Sequence, residues 1–327
     1  MHSVKDDCEV KNLYDVIREV TDCLNPNEEY WYRGHSNVSY ELIPTVLRPI
    51  SEGEKTYFNE EKLLSEFVRR HPASRKEHQS PLELLTYAQH YGLPTRLLDW
   101  TENLLVALYF CCCNPRSDGK LYVLKTFSTP RDSLAVKLYE NLVQANDGHS
   151  IFYDVVKHLK LIKKTDPGAY TNTLSLNGID FEDLEKFNPL NVFTFLKDLN
   201  QNSKSLTMEC RALYAPSRRI DGFVTYKPPL INKRLIAQKG CFTVHGGKII
   251  GSNEILKVNS METLLHGSNS KKESNAVVSN KVLQEFIIPC ASKKTILEQL
   301  NYCGMNHATL FPELENQTKD IKELCKY

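Results

Sequence analysis

The 327 residues include 41 Lys and Arg against 40 Asp and Glu, with 41% hydrophobic and 25% charged residues. That is the make-up of a globular chain long enough to bury a sizeable core, and its formal charge of +1 excludes a global field for nucleic acid or a membrane surface while leaving a local basic patch open. No apolar run approaches the ~20 residues of a membrane span, and Met1–Asp7 does not read as a signal peptide, so a cytoplasmic setting without a membrane partner is expected.

Along the chain, Val10, Leu13, Val16, Ile17, Val20 and Leu24 recur at helical spacing and predict a helix over 9–24, stopped by Asn25-Pro26-Asn27. Glu29–Gly34 reads as a short aromatic strand ended by glycine. Leu63, Leu64 and Phe67 form the apolar stripe of a helix over 59–70, and Ser80-Pro81 opens another over 81–89. The run Ala88–Thr101 turns at Gly92-Leu93-Pro94 and leads directly into an apolar helix, Leu104–Cys112. Gly119–Lys125 reads as a strand. Residues 131–220 alternate helical stripes with polar linkers and are expected to be a mostly helical excursion. Strand character returns at 222–226, 240–244 and 283–289, a polar loop covers 267–275, and a helix at 292–301 precedes the tail Leu310–Leu314. Because strands resume after residue 221, the chain is expected to be one α+β domain over 1–327, with a mixed or antiparallel central sheet and the helical insertion within it.

Ten cysteines suggest zinc or disulfides, but their spacing argues against both. Cys111, Cys112 and Cys113 are consecutive on a helix, the other seven are scattered, and no C-x-x-C pair occurs; buried, reduced thiols are expected. No Walker A, G-x-G-x-x-G, G-x-S-x-G or H-E-x-x-H signature is present.

The chemistry concentrates in Gln89–Thr101. Polar groups between hydrophobic elements must satisfy each other or a ligand. Arg96 and Asp99 therefore read either as a buried pair locking a loop or as the floor of a pocket. Arg33, between Tyr32 and Gly34, can present a rigid fork to phosphate or carboxylate, or stand exposed in a turn. Thr101 can cap the following helix, with Glu102 in its first turn. Gln238 can bond a ligand or close a turn. Glu285 is either an edge-strand surface charge or a carboxylate aimed into a cleft. Arg33, Arg96, Asp99, Thr101 and Gln238 are expected to line or support one cleft, since desolvated polar groups gather where they satisfy each other.

These motifs resemble the FRG domain family. The element that gives the family its name is here Tyr32-Arg33-Gly34. A second covers Gln89–Thr101, followed by Ala107-Leu108-Tyr109-Phe110. A third is Gln238-Lys239-Gly240-Cys241-Phe242, and a fourth is Thr309–Leu314. The chain also resembles ADP-ribosyltransferases of the Arg-Ser-Glu kind, with Arg33, the Leu98–Thr101 strand and helix, and Glu285 as the three elements and Gln238 as a rival for the third. It departs from them in having Asp99-Trp100-Thr101 where they have Ser-Thr-Ser.

That second resemblance implies an NAD-dependent ADP-ribosyltransferase or NAD glycohydrolase, with NAD as substrate and a protein or nucleic-acid acceptor, in the setting of a toxin or anti-phage effector. Arg33 would hold the phosphates, Thr95 or Thr101 the ribose, and Tyr91 or Trp100 would stack on nicotinamide. Arg96 and Asp99 complete the cofactor-binding candidates. Glu285, with Arg33 and Gln238 as the other catalytic candidates, would stabilise the developing positive charge. The alternative is a non-catalytic FRG module that binds a nucleotide or a partner.

Overall fold

A computed structural model describes residues 10–51, 56–126, 223–246, 248–249, 255–256, 260–266 and 282–325. The expected excursion at 131–220 and the polar loop at 267–275 lie outside the described residues.

Most expected elements form close to where periodicity put them. Helix α1 (Leu13–Thr21) starts at Asn12, whose side chain and that of Asp15 make a reciprocal capping box. Strand β1 (Tyr30–His35) follows. Helices α2 (Glu60–Arg70), α3 (Ala73–Glu77) and α4 (Pro81–His90) lead to β2 (Leu97–Thr101), α5 (Leu104–Cys112) and β3 (Gly119–Lys125). The second half supplies β4 (Phe223–Tyr226), α6 (Lys233–Ala237), β5 (Gly240–His245), the short pair β6 (Lys248–Ile249) and β7 (Ile255–Leu256), and α7 (Met261–His266). It closes with β8 (Leu283–Ile288), α8 (Cys290–Tyr302), α9 (His307–Leu310) and α10 (Leu314–Leu324).

One cap differs from the expectation. Asn103, not Thr101, caps α5 by accepting the Leu105 N–H. Thr101 is still extended there, paired with Tyr32 on one side and Gly240 on the other.

Six strands form one sheet in the order β4-β5-β2-β1-β3-β8, and every pairing is antiparallel. The strands that return after residue 222 therefore complete the sheet begun by β1, β2 and β3. Successive side chains alternate faces. Leu121, Val123 and Ile288 meet α1, α5 and α8 on one side through Val16, Val20, Leu108, Ile296 and Leu300. Trp31, Leu98, Trp100, Tyr122 and Leu124 pack with Leu42 and Met261 on the other. A third cluster gathers Leu82 and Leu85 of α4 with Leu97, Val224, Phe242 and Val244. Each such buried side chain contributes about 1.5–3 kcal/mol over its exposed state.

Helix α5 lies directly on the sheet because two glycines and a small face admit it. A Cβ at Gly34 would stand 1.9 Å from the Ala107 carbonyl oxygen and 2.5 Å from the Cys111 nitrogen. A Cβ at Gly119 would stand 2.5 Å from Cys111 Sγ. Cys111 and Cys112 are accordingly buried free thiols, as is Cys241, but the expectation of mostly buried cysteines is corrected among the described residues: Cys113, Cys290, Cys303 and Cys325 are exposed, at helix ends that face solvent. The fully buried Lys293 of α8 donates from Nζ to the carbonyls of Ser36 and Asn114, 2.8 Å each, tying the ends of β1 and α5 together.

Candidate functional site

Strands β1 and β2 meet at one register pair, Tyr32 with Thr101, whereas β1 and β3 stay paired over six positions. Past that pair β1 and β2 part. Arg33 fills the parting: its Nη1 donates to the Asp99 carbonyl, a group that a continued ladder would have satisfied from the backbone. The opening is a cavity of about 450 Å³ lined by residues 32–36 of β1 and its following turn, 99–101 of β2, one face of α5, and Arg234 and Gln238 at either end of α6. That volume is in the range of small-molecule sites.

Arg33 is held on its inner side. Its Nε donates to His35 Nε2 at 2.9 Å, and His35 Nδ1 lies 3.1 Å from the Tyr40 carbonyl. Nε2 must accept, so the proton sits on Nδ1 and the ring is neutral. Burial, then the Arg33 charge, pushes the His35 pKa down to about 3. Arg33 Nη2 has no protein partner among the described residues. Burial lowers the Arg33 pKa, Asp99 opposes that, and Arg48 adds to it. Arg48 shows the same pattern, lowered by burial and opposed by Asp99. Arg48 Nε donates to the Ile43 carbonyl at 2.6 Å. Arg234 also lines the cavity, stacked over Phe311 at 4.6 Å. Three guanidiniums thus share a lining whose one carboxylate among the described residues is Asp99. Tyr32, Tyr40 and Phe110 add aromatic surface.

Arg33, Asp99, Thr101 and Gln238, distant in sequence, come together here as expected. Arg96 does not. It is 2% exposed and pairs with Glu60, the first residue of α2, through Nε at 2.9 Å and Nη2 at 2.5 Å, while Nη1 donates to the His245 carbonyl at 3.0 Å. The expected Arg96–Asp99 pair is corrected by strand geometry: residues three apart on an extended chain point to opposite faces. Asp99 instead lies 68% exposed, 3.9 Å from Arg33 Nη1, and accepts from Gln89 Nε2 at 2.9 Å.

Other candidates are committed elsewhere. Thr95 is buried, donates to Gln89 Oε1 and accepts the Leu97 N–H. Trp100 touches the cleft wall, but its indole is in the core under the sheet, donating to Thr243 Oγ1 at 3.0 Å. Tyr91 is 65% exposed and does not line the cavity. Thr101 Oγ1 donates to the Gln238 carbonyl at 2.7 Å and accepts the Asn103 N–H. Glu285 lies on the edge strand β8, ion-paired with Lys120 at 3.2 Å. The rows Arg33–Tyr122 and Tyr122–Glu285 put it two strands from Arg33, about 10 Å by strand spacing, and outside the cavity lining.

Arg48, Arg234, Tyr40, Phe110 and His35 escaped the sequence reading. His35 stood beside a recognised motif and Phe110 ended another, though neither was taken as a site residue. The other three belong to segments whose approach to Arg33 is a tertiary event.

Residues 28–120 match the family model of the FRG domain, a stretch that runs from just before β1 into β3 and covers under a third of the chain. No curated protein and no solved structure matches the chain. The match includes Arg33 and Asp99. Arg234 and Gln238, beyond its end, are brought to the same cavity by the order of the sheet.

Proposed function

We propose that this chain, which carries an FRG domain at residues 28–120, binds an NAD-type dinucleotide between β1 and β2 and transfers its ADP-ribosyl group to an acceptor or to water. The observation that carries the reading is charge: Arg33, Arg48 and Arg234 face one cavity in which Asp99 is the only carboxylate among the described lining residues, with Glu262 and Glu41 acting from outside it. Partly desolvated like charges are unfavourable until an anion joins them, and a diphosphate supplies acceptors that fit guanidinium forks. Tyr32, Tyr40 and Phe110 offer flat surface for a base or for nicotinamide.

In this reading Arg33 and Arg48 hold the diphosphate, with Arg33 set by His35. Gln238 Oε1 accepts from a ribose hydroxyl. The bond from nicotinamide to ribose breaks through an oxocarbenium-like state, and Asp99 supports the positive charge that develops. Glu285, outside the lining, has no part, and Gln238 takes the place first given to it. The acceptor is a protein or a nucleic acid, and such an activity is that of a toxin or anti-phage effector. A second reading, a nucleotide-binding module without turnover, is favoured by one feature: the group offered to the ribose at Gln238 is a neutral amide.

Calorimetric titration with NAD and ADP-ribose, and release of free nicotinamide, test both readings. Arg33→Ala should weaken binding at least tenfold, the value of a charge-assisted bond of about 1.5–3 kcal/mol. Gln238→Ala should spare binding and lose turnover, and Glu285→Gln should behave as wild type. Binding without nicotinamide release selects the module. Wild-type protein that binds neither compound refutes both readings.

A further inference from the structure

We infer that Leu310 and Phe311, in the C-terminal Thr309–Leu314 motif, are positioning residues that set three walls of the cleft. The role at the ligand rests on the nucleotide reading, while the packing itself does not. Phe311 lies outside the cavity lining yet touches two residues that form it. Arg234 Cζ sits 4.6 Å over the Phe311 ring, and the Phe110 ring meets it edge-on at 6.0 Å. On Phe311's own segment His307 stacks against it at 4.7 Å, so the ring is held from behind. One residue earlier, the Leu310 carbonyl accepts from Gln238 Nε2 at 3.0 Å. Leu310 is 1% exposed and anchors the segment. Gln317 of α10 donates to the Ala308 carbonyl at 2.7 Å and closes the turn.

Two consequences follow from elementary chemistry. A carbonyl accepts and cannot donate, so the Leu310 bond sorts the Gln238 amide: nitrogen toward the C-terminal segment, Oε1 left over as the acceptor. A free Arg side chain loses rotamer freedom when it binds, and stacking on a fixed ring removes part of that cost before a ligand arrives. The motif thus makes no contact with the ligand and acts through Phe110, Arg234 and Gln238.

The test uses the full chain, with ADP-ribose as probe and the side-chain amide signal of Gln238 in NMR as a ligand-free readout. Phe311→Leu, or Phe311→Met should Leu prove unstable, should lower ADP-ribose affinity about three- to thirtyfold, the range for loss of one cation–π contact. Phe311→Trp, which restores a ring face, should recover it. Combined with Arg234→Gln, the loss should be far less than the product of the two single losses. The Gln238 amide signal should move in Phe311→Leu and return in Phe311→Trp. Unchanged affinity in Phe311→Leu, or multiplicative losses in the double variant, overturns the inference. If wild type binds no ADP-ribose, the nucleotide reading fails, and the amide signal alone then decides: a shift restored by Trp upholds the positioning role, and an unmoved signal ends it.

Discussion

Removing the Glu60 carboxylate should be among the most damaging single changes to the stability of this protein. The guanidinium of Arg96 is 2% exposed and the Glu60 side chain 14%. Glu60 takes the Arg96 backbone N–H at 3.2 Å as well as the Nε and Nη2 protons, so one carboxylate fixes both the main chain and the side chain where β2 begins. In Glu60→Ala the guanidinium keeps its bond to the His245 carbonyl but loses its carboxylate. Leaving one member of a buried pair uncompensated costs about 3–5 kcal/mol. At roughly 2–4 °C per kcal/mol the melting temperature should fall on the order of 10 °C. Differential scanning calorimetry on purified wild type and variant measures it. Arg96→Met in the same chain removes the charge that has lost its carboxylate, and Glu60→Ala/Arg96→Met should melt higher than Glu60→Ala alone. A Glu60→Ala protein that melts with wild type, or a double variant no better than the single, would falsify the claim that this pair locks the start of β2.

Asp99→Ala should change stability by less than about 1 kcal/mol, because its carboxylate is largely exposed and exposed pairs contribute little; in the same variant nicotinamide release should drop sharply, and a large melting shift would return Asp99 to a structural role. Gly34→Ala must push a Cβ into the backbone of α5, so it should cost about 3 kcal/mol or prevent folding, whereas Gly92→Ala, at φ +87° with open space around it, should cost about 1 kcal/mol; equal melts of the two variants would contradict the close α5 contact. His35 and His245, both buried and lowered to about 3, bind protons more readily unfolded than folded, so their contribution is whole above pH ~6.5 and is lost as pH falls toward 3. Chemical denaturation between pH 7 and 5 should show stability declining with acid by up to about 1.4 kcal/mol per pH unit for each histidine, and a flat profile would mean that these rings can charge in place.

Local pattern was enough for the elements themselves. The helical stripe Leu13, Val16 and Val20 carries its own period, while Leu104–Cys112, the aromatic run before Gly34 and the apolar run within Gly119–Lys125 are marked by composition and by the polar or turn residues that bound them. Arg33 and Gly34 were legible for a related reason: a charged fork and a missing Cβ inside an aromatic strand have few uses, and the structure employs both, one in the cleft and one beneath α5. Partnership was not legible. Arg96 and Asp99 looked paired because they are close in sequence, yet β2 turns them to opposite faces, and Arg96 finds Glu60 across 36 positions. Glu285 had strand character and a carboxylate but ended on the edge of the sheet, because β3 stands between β8 and β1. Arg48 and Arg234 carry no local mark at all. What makes them a site is the parting of β1 from β2 and the arrival of α6 beside it, and a sheet that joins strands from both halves of the chain is decided by long-range packing that no window of sequence contains.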